Sequence, residues 1–187
     1  MEAILQREII SNKVITRIFG LLISIILITL SGFVRLPLPF TPVPLTLQTM
    51  FVLLTGSLLG SGLGGLSLLS FMLLGVSGLS VFSATGSGLL YLCGPTGGYI
   101  FGFILAAFFI GKFAGAVRNK TLTVLLFYGA DLIILATGAL WLKISLRMSL
   151  GQAFLLGVAP FLGGDLLKAF LAAAIYHKLK ARAKEIF

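Results

Sequence analysis

The stretch GGYIFGFILAAFFIGKFAGAV, residues 97–117, contains one charged side chain, Lys112, in an otherwise apolar run. About twenty residues of α-helix, rising ~1.5 Å per residue, cross the ~30 Å hydrocarbon core of a membrane. The stretch lacks the strict alternation of polar and apolar residues that is typical of strands in a membrane β-barrel. We therefore predict that it forms a membrane-spanning helix.

The rest of the chain has the same character. Of its 187 residues, 58% are apolar and 10% are charged, whereas a soluble domain has roughly 25% charged residues. We predict a single all-α integral membrane domain, folded as a compact bundle of six transmembrane helices. The predicted helices are 14–34, 45–60, 66–78, 97–117, 121–142 and 150–178, preceded by a lead-in on the membrane surface at 1–13 and followed by a basic tail at 178–187.

Turn-forming residues separate the predicted helices. RLPLPFTPVP, residues 35–44, holds four of the six prolines and predicts a stiff loop, because proline is excluded from helix interiors. The glycine cluster at 60–65 predicts the turn between the second and third helices. Residues 79–95, rich in serine and glycine, predict a longer loop before the fourth helix.

The cations predict an orientation. The net charge is +9. If both termini are cytoplasmic, ten cations lie inside and three lie outside (Arg35, Lys143 and Arg147), which the positive-inside rule favours. The cations stand at helix ends rather than along one face with aromatic residues, so no nucleic-acid partner is expected. With Cys93 as the one cysteine, an internal disulfide and a cysteine metal cluster are excluded, and we expect no metal or cofactor.

Three ionisable side chains lie well inside the predicted helices: Asp131, Asp165 and Lys168. Each costs roughly 2.5–3.5 kcal/mol at the centre of an inserted helix, which favours a functional role. Asp165 and Lys168 are three residues apart and share a helix face, either as part of a binding site or as a structural ion pair. Asp131 has three possible roles: pairing with Lys168, carrying a proton, or hydrogen bonding with a hydroxyl such as that of Tyr128.

PFLGG, residues 160–164, interrupts the last helix. Residues 150–184 would form about 52 Å of continuous helix, well beyond one bilayer. Pro160 with the following glycines therefore predicts a break, which membrane backbone tolerates only against protein or a wet cavity. Asp165 would then lie at a new helix start, where its carboxylate can cap backbone N–H groups or reach a ligand. The alternative is that the glycines only allow close helix packing.

GPTGG, residues 94–98, is a second irregular element. Glycines permit a positive-φ backbone that directs successive N–H groups into a concavity, and Gly97 begins a helix whose N-terminus carries partial positive charge. Such a backbone suits an anionic oxygen, for instance a carboxylate. The alternative is a plain turn, and the Lys-Ser/Thr ending of a phosphate loop is missing.

Three segments taken together resemble a known family. They are LPFTPVPLTLQT (38–49), GPTGGYIFGF (94–103) and PFLGGDLLKA (160–169), with VFSATGSG (81–88) and GALWL (138–142) as lesser matches. In order and spacing, from residue 34 to the end, they resemble the BioY family, the biotin-specific substrate-binding subunits of energy-coupling factor transporters. Any one motif alone is not specific, whereas the set is.

The resemblance implies a six-helix bundle in the bacterial cytoplasmic membrane that binds biotin near its outer side, beneath the loops after helices one and three. The family's acidic and basic positions in the last helix fall on Asp165 and Lys168. Its glycine-rich loop and following aromatic residue fall on 94–99, and its loop-one segment falls on 42–48. The predicted substrate-binding residues are Asp165, Lys168, Gly97, Gly98, Thr96, Tyr99, Gln48 and Tyr91.

The chemistry of biotin agrees with these residues. The ureido ring has two N–H donors and a carbonyl acceptor, which suit Asp165 together with Lys168 or Gln48. The apolar bicycle needs aromatic walls, for which the candidates are Tyr99, Tyr91 and Phe82. The valerate carboxylate needs donors, either the backbone of residues 94–98 or Lys168. In the second case the ureido group meets other polar groups, so both ligand directions stay open.

Two departures from the family pattern concern partners. The turn GSGLGGL, residues 60–66, lacks the basic residues usual in relatives, and helix one lacks the Ala-xxx-Ala pattern that meets the transmembrane coupling subunit. Gly20 and Ser24 offer a smaller version of that packing surface. Coupling to this subunit and its ATPases, solitary function and a homo-oligomer are therefore alternatives.

Two other functions compete with biotin uptake. A proton-coupled carrier is suggested by Asp131. A membrane-embedded lipid enzyme is disfavoured, because the chain has one histidine, His177, and no helix with paired carboxylates. His177 is expected at the membrane interface, and Trp141 is expected in an outer aromatic belt.

Overall fold

The computed structural model describes residues 2–186, with side chains described at 13–183, 185 and 186. The surface-lying lead-in predicted at 1–13 falls almost wholly outside the described side chains and stays a prediction. Among the described residues the chain is helical apart from one small hairpin and the connecting loops. The helices are α1 (Glu2–Ser31), α2 (Gln48–Val76), α3 (Leu89–Cys93), α4 (Gly97–Phe113), α5 (Lys120–Ser145), α6 (Leu150–Gly157) and α7 (Leu162–Ile186), and the strands are β1 (Arg35–Leu36) and β2 (Leu45–Thr46).

Four helices in the described residues are long and apolar enough to cross a membrane. They are α1 over Lys13–Ser31, α2, α4 with the short turn that follows it, and α5. The broken pair α6 and α7, bent by 52°, makes a fifth candidate if it is counted as one span. The all-helical membrane class is thus confirmed, while helix lengths alone do not reach the predicted count of six.

Helix α2 is divided by a single residue. Gly60 has φ 78° and ψ 173°, a conformation that is essentially restricted to glycine. The chain folds back there, because a Cβ on Gly64 would lie 2.8 Å from the Cα of Gly56, whereas eight residues of straight helix span ~12 Å. The predicted turn across 60–65 is therefore wrong in extent: Gly60 makes the turn, and the later glycines are helical.

The proline-rich segment forms a small hairpin. Arg35 pairs with Thr46 and Leu36 with Leu45 in antiparallel register, and the four prolines lie between the strands, where no ladder N–H is required. The Thr41 hydroxyl donates to the carbonyl oxygen of Leu156 at 2.7 Å. The predicted loop is therefore present, and it is fastened to the end of α6.

Helix α4 lies between α2 and α5, and its small residues allow close packing. Ala106, Ala107 and Ile110 are fully buried, and Gly56 of α2 lies directly against the backbone of Ala107. The outward faces instead carry many exposed large apolar side chains, including Phe19, Ile26, Leu105, Leu140, Phe154 and Phe170. An apolar exterior of this kind suits lipid rather than water.

The predicted break at Pro160 is confirmed. Helix α6 ends at Gly157 and α7 begins at Leu162. The backbone N–H groups at the break are paired: those of Val158 and Ala159 donate to the carbonyl of Phe154, and that of Phe161 donates to Val158. Helix α7 continues to Ile186, so most of the predicted basic tail is helical.

The packing surface predicted on α1 is corrected. Gly20 and Ser24 are both buried within the bundle, where α1 packs on α2. Small residues let these two helices approach closely. They are therefore not exposed for a partner in the structure.

Candidate ligand-binding site

A cavity lies among the hairpin, the start of α2, the loop before α4, and the first turns of α7. It encloses about 560 Å³ of empty space, its mouth included. Its aromatic lining is Phe71, Phe82, Tyr91, Tyr99, Phe103 and Phe161. Its polar lining is Thr46, Gln48, Thr49, Ser83, Thr96, Asp165 and Lys168. Apolar walls with a few convergent polar groups are the usual composition of a ligand site.

The Asp165–Lys168 pair forms the charged part of the cavity wall. The two side chains are 2% and 9% exposed and form an ion pair within α7. The Lys168 ammonium also donates to the carbonyl oxygen of Thr46 at 2.9 Å, which connects α7 to β2. The alternative of a structural ion pair is thus partly correct, but both residues also line the cavity. Removing one partner of a buried pair leaves an uncompensated charge, so the two belong together.

Gln48 is oriented by α1. Its Nε2 donates to the carbonyl oxygen of Ile28 at 3.3 Å, and its side chain is buried. Gly32 leaves room for this amide, since a Cβ there would lie 2.9 Å from Nε2. An amide has a second N–H and a carbonyl oxygen, which remain for a ligand.

Phe82 and Tyr91 form a stacked aromatic wall. Their ring centroids are 5.1 Å apart at 20°, and Phe71 meets Phe82 edge-on at 5.6 Å. The Tyr91 hydroxyl donates to the carbonyl of Ser83 at 3.0 Å. Burial raises the pKa of Tyr91, against smaller opposing effects of Thr96 and Arg35, so the hydroxyl stays protonated and keeps this bond. The wall is therefore held by the loop itself.

Tyr99 connects α4 to the helix break. Its hydroxyl donates to the carbonyl of Gly157 at 2.8 Å, and its ring lies against Gly138 of α5. Tyr99 lines the cavity, and its ring lies near that of Phe161 at a centroid distance of 6.5 Å. Its hydroxyl is already bonded to the end of α6, which leaves the ring as the part of this side chain that can face the cavity.

The glycine-rich loop differs from the predicted anion cradle. Thr96 lines the cavity, but Gly97 and Gly98 are not among its lining residues. Neither has positive φ; among the described glycines Gly60, Gly78 and Gly88 do. A Cβ on Gly98 would overlap Trp141 and lie 2.6 Å from the carbonyl of Thr137. Gly98 therefore allows α4 to pack closely against α5, and Gly97 allows the same helix to start directly against the carbonyl of Leu92 in α3.

Trp141 holds the same loop. Its indole Nε1 donates to the carbonyl of Gly94 at 2.9 Å, across 47 residues of sequence. The sequence predicts Trp141 in an outer aromatic belt, and that prediction does not reveal this hydrogen bond. A residue expected to meet lipid headgroups thus also fixes the segment that precedes α4.

Asp131 and His177 lie apart from the cavity lining. Tyr128 donates to the carbonyl of Leu162 at 3.4 Å, so the hydrogen bond considered between Tyr128 and Asp131 is not formed. Asp131 is fully buried and interacts electrostatically with Asp165 and Lys168. The Nε2 of His177 lies 3.1 Å from the hydroxyl oxygen of Thr123.

Sequence reasoning missed several lining residues. Ile100, Phe103 and Leu135 lie inside apolar helices, where composition does not distinguish a cavity wall from a packed core. Phe71 and Phe161 share this ambiguity, although Phe161 lies within a motif already singled out. Thr46 lies within the loop-one motif. Its contribution is a backbone carbonyl that accepts the Lys168 hydrogen bond, and the residue type does not predict such a contribution.

Comparisons of this chain with known proteins identify one family and several relatives. The model of the BioY family matches residues 6–185. A probable biotin transporter BioY from Pyrococcus horikoshii is 42% identical over 139 residues, covering 74% of this chain and 82% of that protein. The biotin transporter BioY of Thermotoga maritima is 39% identical over 143 residues, covering 76% and 84%.

A solved structure matches as well. The crystal structure of the S-component for biotin from an ECF-type ABC transporter superposes with a TM-score of 0.84 at 28% identity, covering 91% of this chain and 93% of that one. The residues that the family model matches include the hairpin, both helix breaks and the cavity lining. The chain belongs to the BioY family.

Proposed function

We propose that this protein is a biotin-binding membrane subunit that captures biotin on the outer side and delivers it to the cytoplasm. The relatives at 42% and 39% identity are a probable biotin transporter and a biotin transporter. The observation that carries the proposal is the cavity, whose lining combines the Asp165–Lys168 pair and Gln48 with stacked aromatic rings. These groups match a ligand with a ureido ring on an apolar bicycle.

The proposed contacts follow from the wall chemistry. Asp165 accepts from the ureido N–H groups, and Lys168 or Gln48 donates to the ureido carbonyl. Phe82, Tyr91 and Tyr99 contact the bicycle. Thr96, at the N-terminus of α4, lies where the valerate carboxylate finds a hydroxyl donor. Gly97 and Gly98 support this segment from behind rather than touching the ligand.

We further propose six membrane-inserted segments with cytoplasmic termini. The fold-back at Gly60 divides α2 into two segments, each shorter than the ~20 residues of a full crossing. A criterion based on helix length alone therefore counts the two segments as one span. With α6 and α7 counted as one broken span, the total is six. Six segments place both termini on the same side, and cytoplasmic termini then give ten cations inside and three outside.

The energy source is proposed by analogy with the structural neighbour. That neighbour is the S-component of an ECF-type ABC transporter, and the present chain contains no nucleotide-binding loop of the Walker type. We therefore expect a separate energising module, a coupling subunit with ATPases, to drive uptake in the cytoplasmic membrane.

Biotin binding by purified protein tests the site. Asp165→Asn and Lys168→Ala are each expected to bind biotin at least about 10-fold more weakly, since a lost charge-assisted hydrogen bond costs roughly 1.5–3 kcal/mol. Labelled-biotin titration in detergent measures this directly. The matched controls are Glu185→Gln and Lys178→Ala, exposed positions on the same helix, which should bind like the wild type.

Two results would contradict the proposal at different levels. Unchanged affinity in both cavity variants would reject these residues as the binding site. A folded wild type that fails to bind biotin would reject the function itself.

A further inference from the structure

Asp131 is a buried acid for which the binding chemistry above has no use. Its side chain has 0% exposure, and neither carboxylate oxygen has a hydrogen-bond partner among the described residues. The hydroxyl of Thr49 likewise has no partner there, and the Oδ1 of Asp165 has only the Lys168 ion pair. An orphaned polar atom costs about 1–3 kcal/mol. Such a cluster therefore needs a hydrogen-bond donor in addition to the Lys168 ammonium.

These atoms are neighbours. Asp131 interacts with Asp165, Lys168 and Thr49. The latter three residues line the cavity, whereas Asp131 is not among its lining residues. Asp131 therefore lies outside the surface that a ligand would contact, and it can act on the ligand only through Asp165.

The charges of the cluster do not balance if both acids are ionised. The titratable groups facing Asp131 are Asp165 and Lys168 from α7, with Tyr99 of α4 beside Asp165; α2 contributes the neutral Thr49. Two carboxylates and one ammonium leave a buried net charge of −1, which is costly in a medium that solvates ions poorly. A single proton removes this charge and also supplies the missing donor.

A metal cation is the less favourable way to neutralise the cluster. The Lys168 ammonium already lies against Asp165, and a second cation would be repelled by it at close range. Among the described residues, no group of three or more His, Cys, Asp or Glu side chains is arranged to hold a metal ion. A proton needs only the two carboxyl groups.

We propose that Asp131 and Asp165 share one proton, and that Asp131 is thereby a positioning residue for ligand recognition. The shared O–H joins the two carboxyl groups, and the Thr49 hydroxyl, which has no other partner among the described residues, is the donor beside Asp131. Asp165 is then held with an oxygen facing the cavity, ready to accept an N–H from the ligand. This inference rests on the proposed function, since the ligand N–H is that of a ureido ring.

Biotin affinity of three α5 variants tests the positioning role. Asp131→Ala removes the group that holds Asp165 and is expected to weaken binding about 10-fold, from the cost of one unsatisfied buried partner. Asp131→Asn, whose amide can donate to Asp165, is expected to restore most of that affinity. Leu132→Ala, on the lipid-facing side of the same turn, is the matched control and should bind like the wild type.

Thermal unfolding of the ligand-free protein tests the shared proton. In the unfolded chain both carboxyl groups ionise above about pH 4, so the folded protein holds one proton more and its stability falls as the pH rises. The wild-type unfolding temperature should therefore decrease between about pH 5 and pH 9 more steeply than that of Asp131→Asn.

Each alternative outcome is informative. If Asp131→Ala binds like the wild type, or Asp131→Asn binds no better than Asp131→Ala, the positioning role is wrong. If the two unfolding curves are parallel, or if sodium ions alone raise the unfolding temperature of the wild type but not of Asp131→Asn, the shared proton is wrong. If the wild type binds no biotin, the proposed function is wrong, while the unfolding curves still decide the question of the proton.

Discussion

At the scale of single residues, glycine has different roles at positions that look alike in the sequence. Gly97 and Gly98 follow Pro95 in a run that suggests a backbone cradle, yet their Cα atoms pack against Leu92 and Trp141. Neither takes positive φ. Because these two residues have no side chain, α4 can approach its neighbours closely. Trp141 then reaches the carbonyl of Gly94.

Gly98→Ala should destabilise the fold. The new methyl overlaps Trp141 and presses on the carbonyl of Thr137, and overpacking of this kind typically costs about 1–3 kcal/mol. Gly129→Ala is the matched control, because a Cβ there meets nothing within 4 Å and alanine is the better helix former. Unfolding temperatures in detergent compare the two.

The same variants also test whether Gly98 contacts the ligand. Since Gly98 is absent from the cavity lining, biotin affinity of the folded Gly98→Ala protein should fall only together with its stability. An affinity loss at unchanged unfolding temperature would mean that Gly98 touches the ligand after all.

At the scale of elements, two breaks shape the bundle. The break between α6 and α7 is predictable, because Pro160 cannot continue a helix and the uninterrupted segment would exceed a bilayer. The break in α2 is predictable only as a region. Several glycines occur between 60 and 65, and which of them takes positive φ depends on the packing of Gly64 against Gly56 and of Gly111 against the turn.

Gly60→Ala should therefore act differently from its neighbour Gly62→Ala. At Gly60 a Cβ has free space, but φ is +78°, so the cost is backbone strain of about 1–3 kcal/mol. At Gly62 a Cβ also has free space, without positive φ, so alanine should be neutral or mildly stabilising. Denaturant unfolding of both variants measures the difference, and equal stabilities would show that the fold-back does not depend on the conformation of Gly60.

At the scale of the whole molecule, the cavity is assembled from segments far apart in the chain. The Lys168–Thr46 bond spans 122 residues, and the Thr41–Leu156 bond spans 115. The hairpin after α1 is thus fastened to both halves of the last, broken helix. Movement of this helix would be transmitted to the cavity wall, which suits a protein that must bind and then release its ligand.

Uptake in cells tests the proposed energy source. Cells that lack other biotin uptake and express this chain should accumulate labelled biotin many-fold faster when a compatible coupling subunit and ATPases are added. The proposal expects an ATPase-inactive module to abolish that gain. Equal uptake with and without the module would instead support a solitary carrier, and loss of that uptake in Asp131→Asn would favour proton coupling.

The sequence by itself determined the membrane class, most helices, one of the two breaks and several of the residues that line the cavity, namely Asp165, Lys168, Gln48, Tyr91 and Tyr99. These follow from local properties: hydrophobicity, proline chemistry, and the cost of charge in a helix. Only the tertiary structure decided that Gly97 and Gly98 pack rather than line the cavity, that Gly60 alone reverses α2, and that Asp131 interacts with Asp165 without lining the cavity itself. These three features depend on contacts between segments that are far apart in the sequence. Such contacts form only when the whole bundle packs, so they cannot be read from the residues of one segment.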